Sequence, residues 1–194
     1  MANVTFNPFV DSSEKKLLLI GFIGFAFAVV LTNYSDTLML GSLKLVHVKP
    51  KEWYSSLYNL GFTIIANTLL LYFFALIRFS RTRFVDVLNT VLIAHFGMYV
   101  LLLVSSIPVV ADFLKSIEFM VLDHIDDPSK IPLDKIILML IFGFFSIGCL
   151  IVFFILLTMG MKIAMNSKKG GDTVIIVLLV LLLNTLLQFL NLYI

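Results

Sequence analysis

Five runs of the chain, residues 17–34, 57–77, 87–110, 136–161 and 174–194, are apolar on every helical face and are divided by short polar segments. A helix rises about 1.5 Å per residue, so even the first run just reaches across a hydrocarbon core of about 30 Å. Barrel strands would need segments of about ten residues alternating in polarity, and these runs are continuously apolar for twice that length. Helices also satisfy their backbone internally in lipid. The pattern therefore predicts an all-α polytopic membrane protein, a bundle of five transmembrane helices forming a single domain over 1–194. A short amino-terminal stretch, 1–16, precedes the first span, and no domain is expected after the fifth.

The boundaries carry their own signals. Asp11 and Glu14 stand three residues apart, as a capping box before the first span would. A signal peptide is the competing reading of this run: Lys15 and Lys16 as its basic region, 17–25 as its apolar core, and Ala26-Phe27-Ala28 as a small-x-small cleavage site. The run continues through Val29, Val30 and Leu31, which favours a retained span. Pro50 suits a helix start, and Trp53 and Tyr54 suit the interfacial belt before the second span. Pro108 should kink or stop the last turn of the third. The fourth run is long enough to require tilt or extension into the headgroups.

Between the third and fourth runs, Phe113, Leu114, Ile117, Met120, Val121 and Ile125 share one helical face and Asp112, Lys115, Ser116 and Asp123 the other. This predicts an interfacial amphipathic helix, although Phe119 and Leu122 interrupt its polar face and allow docking against the bundle instead. Residues 35–48 alternate weakly between apolar and polar and fit a short interfacial strand or helix equally well.

Composition supports the membrane class: 60% of residues are hydrophobic and only 13% charged, far from the globular norm. The net charge of +2 comes with basic residues dispersed in twos and threes, so no phosphate-tracking patch for nucleic acid is present. The lipid bilayer, and through it other membrane proteins, are the expected partners. Cys149 is the only cysteine; it lies within the fourth run and is expected to be a small core residue.

Charge also predicts orientation. Basic residues in alternate segments total eight on one side and six on the other. The triplets Arg78, Arg81, Arg83 and Lys162, Lys168, Lys169 lie hard against span ends, where the positive-inside rule acts most strongly. Those connections, with the amino terminus, are expected in the cytoplasm, and the carboxy terminus outside a plasma or inner cell membrane. Six of the twelve acids fall in residues 111–135, on the expected outer side.

No Asp, Glu, Lys or Arg occupies the central part of any run, which disfavours a coupled transporter, proton pump or voltage sensor. His95 lies near mid-depth of the third run, where it bonds a neighbouring span or, in a functional role, relays protons or holds a headgroup. Asn184, Gln188 and Asn191 form one polar stripe on the fifth run, and Thr63 and Asn67 a shorter one on the second. Interhelical amide bonds of about 0.6–2 kcal/mol each are their expected role. With His95 they are the candidate intramembrane polar cluster. Gly21 with Gly24, and Gly143, Ser146 and Gly148, are small-residue patches expected to let helices approach.

The sequence 123–127, Asp-His-Ile-Asp-Asp, offers cation ligands but lacks the spacing and glycine of a calcium loop, so a solvated acidic loop is expected. No Ser-His-Asp order, His-Glu-x-x-His helix, P-loop or dinucleotide motif occurs. No catalytic residue, metal or cofactor is expected.

The order of these features resembles the Yip (Ypt-interacting protein) family, in its shorter bacterial form. The similarity runs from Leu57 onward: a span ending in a short basic turn, then Phe84-Val85-Asp86-Val87-Leu88-Asn89-Thr90-Val91 leading to Ala94, and a fourth run closing on Thr158-Met159-Gly160-Met161-Lys162. The resemblance implies five spans with a cytoplasmic amino terminus, the orientation that charge predicts independently. The long amino-terminal region and Asp-Leu-Tyr-Gly motif of the eukaryotic members are missing, so Rab binding does not carry over. A non-enzymatic membrane organiser or adaptor is the resulting expectation. The alternative is a small transporter, channel or lipid-moving protein using polar faces of the second, third and fifth spans.

Overall fold

The computed structural model describes residues 7–47, 52–124, 127, 131–190 and 192–193. Among the described residues, eight helices and one hairpin follow in order: α1 (Pro8–Asp11), α2 (Glu14–Tyr34), β1 (Leu38–Leu40), β2 (Lys44–Val46), α3 (Ser55–Arg78), α4 (Phe84–Ala94), α5 (Phe96–Ser105), α6 (Pro108–Asp123), α7 (Leu133–Ala164) and α8 (Gly170–Phe189). Five stretches are long and apolar enough to cross a bilayer: α2, α3, α4 with α5 taken together, α7 and α8. They coincide with the five apolar runs, each displaced by a few residues at its ends.

The third span is the axis of the fold. It is the most buried of the five. Val87, Val91, Leu92 and Leu102 are sealed against Leu71 and Ala75 of α3, Phe153, Leu157 and Met161 of α7, and Ala28 of α2. A span packed on most of its circumference needs small neighbours where backbones meet. Gly97 supplies one such point: a Cβ there would lie 2.8 Å from the Cys149 carbonyl oxygen and 2.9 Å from the Phe153 nitrogen. Gly21 and Gly24 do the same for α2, against Leu92 and Phe96. The expectation for Gly143 and Gly148 is corrected, because nothing lies within 4 Å of a Cβ built on either. That part of α7 precedes its first buried residue, Cys149.

Several boundary expectations change for local reasons. The Asp11–Glu14 capping box does not form: Asp11 ends the separate helix α1, which Asn7 caps by accepting from the Phe9 N–H, and Ser13 stands at the N-cap of α2. The third span ends at Ser105 rather than running to residue 110, and Pro108 opens α6, where its missing N–H costs nothing. The span is also interrupted at His95, which separates α4 from α5.

A helix does form where the amphipathic face was expected. In α6, Phe113, Leu114, Ile117 and Met120 are half-buried while Asp112, Lys115, Ser116 and Asp123 are exposed. Val121 departs from the expected apolar face and is exposed with Phe119 and Leu122.

Residues 35–48 resolve the open choice in favour of strands. β1 and β2 pair antiparallel, with Leu38 opposite Val46 and Leu40 opposite Lys44. Gly41, at φ +77, takes the left-handed conformation in the turn between them. The nearly all-α fold therefore contains one small hairpin, and the hairpin turns out to organise its polar interior.

Ion pairs gather at one end of the bundle. Arg83 donates to Asp86 and Glu14, tying the start of the third span to the start of the first. The hydrogen bonds to Asp86 and Glu14 hold the Arg83 guanidinium above its already high ordinary pKa. Asp172, almost fully buried in the first turn of α8, accepts from Ser167 and pairs with Arg78 at 3.4 Å. Lys162 closes α7 at this same end.

Candidate functional site

Asn67 is the thirteenth residue of α3 and the twelfth from its end, and His95 divides the third span almost evenly. Each is therefore about 15–18 Å from the ends of its span, near the middle of a bilayer core. Both reach one hydroxyl. The Ser42 Oγ lies 3.0 Å from His95 Nε2 and accepts from Asn67 Nδ2 at 3.1 Å. The hairpin thus enters the bundle from the end opposite the ion pairs and places its turn at mid-depth. Backbone that is neither helical nor part of a closed barrel is tolerated there only when enclosed by protein. Ser42 meets that condition, being 0% exposed.

The direction of each bond follows from chemistry. His95 Nδ1 faces the Val91 carbonyl at 2.7 Å; a carbonyl only accepts, so Nδ1 carries the proton. In the neutral ring Nε2 then accepts from the Ser42 hydroxyl. Asn67 Nδ2 gives its second hydrogen to the Thr63 carbonyl at 2.8 Å, which fixes the orientation of that amide. Asn184 Nδ2 donates to the Val180 carbonyl at 2.8 Å and to Asn67 Oδ1 at 3.3 Å. Its Oδ1 accepts the Ser42 backbone N–H at 2.7 Å. The result is a closed ring of Ser42, Asn67 and Asn184 that joins the hairpin turn to the second and fifth spans, with His95 of the third span attached at Ser42. Every donor and acceptor named has a partner.

Neighbouring groups shape the hub. Thr63 Oγ1 donates to the Asn59 carbonyl at 2.8 Å, so this residue joins the circuit through its backbone alone. The Tyr193 hydroxyl is buried beside Gly41 and Thr63 without reaching hydrogen-bond geometry. Phe153 packs edge-on against the His95 ring, at 5.2 Å between centroids, and closes the α7 side.

Of the expected cluster, the fold unites Asn67, His95 and Asn184 and places Thr63 next to them. Gln188 is half-buried and forms no hydrogen bond among the described residues, so the expected single stripe on the fifth span engages at Asn184. Asn191 lies outside the described residues. The sequence reasoning missed Ser42, yet a signal for it existed. Gly41-Ser42 stands between Leu38-Met39-Leu40 and Leu43-Lys44-Leu45-Val46, and Gly-Ser between two apolar runs is a hairpin signature. In the acidic stretch 123–127, residues 125 and 126 lie outside the described residues. Among the described residues no group of three or more His, Cys, Asp or Glu is placed to hold a metal.

The arrangement fastens helices together. Ser42 and His95 stand like a hydroxyl and its base, but the hydroxyl is enclosed, and the nearby amide hydrogens that would stabilise an oxyanion are already donated to Ser42, Asn67 and backbone carbonyls.

A second feature lies at the hairpin end of the bundle. A groove of about 700 Å³ runs between α6 and α7, lined mainly by Val104, Val109, Leu138, Ile141, Phe142 and Phe145. Asp112, Ser116 and Lys135 line it as well.

Comparison with family models, with curated proteins and with solved structures finds no match to this chain.

Proposed function

We propose that this chain is a non-enzymatic integral membrane protein that organises or adapts other membrane components, binding proteins or lipids through its outer surfaces. One observation carries the reading: the polar groups at mid-depth are occupied by one another, while α7 and α8 present broad apolar faces outward. The resemblance of the motifs at 84–94 and 158–162 to the Yip family points the same way, although no family model matches the chain. The basic end, with Arg78, Arg83 and Lys162, is the cytoplasmic one by the positive-inside rule, and the hairpin enters from outside a plasma or inner cell membrane. In this orientation α6 lies at the outer interface, its charged face toward water.

Cross-linking in native membranes, followed by identification of what co-purifies, tests the proposal. Recovery of a consistent membrane partner is expected, and recovery of none in repeated trials defeats it. Reporter fusions at Arg81 and Leu192 should report opposite compartments.

The hairpin favours one other reading, a small transporter or channel. Its turn is the one non-helical segment in contact with His95, Asn67 and Asn184 among the described residues, and its withdrawal would uncover all three. Under this reading His95→Ala abolishes flux in reconstituted vesicles while the protein stays folded; unchanged flux removes it.

A further inference from the structure

We infer that the groove between α6 and α7 is a binding site for a zwitterionic phospholipid carrying a primary ammonium, of the phosphatidylethanolamine class. The inference rests on the adaptor reading and names one of its ligands. Three features of the groove match such a molecule. First, its polarity is graded along α7: Lys135 stands in the first turn, and Leu138, Ile141, Phe142 and Phe145 follow. Ten residues separate Lys135 from Phe145, about 15 Å of helix, so a molecule with its head at Lys135 lays an apolar tail along the rest.

Second, both signs of charge face the groove, and among the described residues they are not paired with one another. Among the described residues Lys135 has no carboxylate within 4 Å; its Nζ stands 5.8 Å over the Phe113 ring. Asp112, next to Phe113 on α6, has no cationic partner among the described residues. A lone anion would satisfy only the lysine, and a lone cation only the aspartate. A phosphate joined to an ammonium satisfies both.

Third, the hydroxyl of Ser116 donates to the Phe113 carbonyl at 2.7 Å, leaving its oxygen as an acceptor beside Asp112. Two acceptors call for a head group with N–H bonds. A quaternary ammonium has none, so choline lipids are disfavoured although their charges are the same.

The full-length protein, purified and exchanged into nanodiscs of equal parts phosphatidylethanolamine, phosphatidylcholine and phosphatidylglycerol, would be released for native mass spectrometry and its retained lipids counted. The expected result is preferential retention of phosphatidylethanolamine. Asp112→Leu, which removes one of the two acceptors, should reduce the preference over phosphatidylcholine. Lys135→Gln should lower retention of both by about fivefold, the worth of one interfacial charge contact. Ile141→Trp, which fills the groove, should lower retention of all three, and helicity measured on each variant separates loss of binding from loss of fold.

Equal retention of the three lipids, a preference for phosphatidylglycerol, or a preference unchanged in Asp112→Leu overturns the inference. So does a photo-cross-linker at Leu138 that captures protein in place of lipid. Partner recovery without a lipid preference leaves the adaptor reading standing and removes only this one. Measured flux removes the adaptor reading while an ethanolamine preference persists.

Discussion

Replacing Asn184 with leucine should unfasten the hairpin from the bundle. Asn184 Oδ1 is the acceptor for the Ser42 backbone N–H at 2.7 Å, and its Nδ2 reaches Asn67 Oδ1 at 3.3 Å. Leucine has the same branched arrangement of four side-chain heavy atoms, so the change chiefly removes hydrogen bonding. It orphans a buried N–H, at a cost of about 1–3 kcal/mol. It also removes an interhelical amide bond, which in membranes averages about 0.6 and reaches about 1.7 kcal/mol. The expected loss is roughly 2–5 kcal/mol. Gln188→Leu on the same helix is the control. Gln188 is half-buried and has no hydrogen bond among the described residues, so its loss should stay within about 0.5 kcal/mol. Unfolding in mixed micelles of rising dodecyl sulfate fraction measures both variants, followed by helicity and by the fluorescence of Trp53, the only tryptophan. A leucine variant as stable as the parent, or a Gln188 variant equally damaged, would refute the view that this circuit holds the fold.

Further outcomes follow from the same geometry. Gly41→Ala adds a methyl 2.8 Å from Asn184 Oδ1 at a φ of +77, and should cost about 1–3 kcal/mol in the same unfolding assay. Gly97→Ala drives a Cβ into the α7 backbone and should cost about 1–3 kcal/mol, whereas Gly148→Ala, in open space, should be neutral or gain up to about 1 kcal/mol of helix propensity. Asp172→Asn weakens the pairing with Arg78 at a nearly buried site and should lower stability by about 1–3 kcal/mol, read as an earlier midpoint. Arg83→Gln, in an exposed triad, should change stability little, and raising the salt concentration should shrink even that difference.

Much of this fold is legible in the chain because a bilayer leaves few choices. Lipid offers no hydrogen bonds, so any apolar run of about twenty residues must close its backbone as a helix, and run length alone located all five spans. Depth was equally readable: His95 and Asn67 stand near the centres of their runs, which marked them as groups in need of partners. The partner they share was not readable. Ser42 is an ordinary small residue in a weakly patterned segment, and hydropathy does not record that the nine residues from Leu38 to Val46 fold back into the bundle instead of spreading over its surface. The apolar pattern likewise does not distinguish Gly21, pressed against Leu92, from Gly148, which touches nothing.

The number of spans, the helical class and the depth of the polar side chains within the spans follow from the linear pattern, since these depend on transfer of a local segment from water to hydrocarbon. The tertiary structure alone decided which helix lies at the centre, that Asn184 and not Gln188 is engaged, and that a hairpin turn occupies the polar core. Those outcomes depend on hydrogen bonds between residues 25 to 142 positions apart, whose directions exist only once the helices are packed.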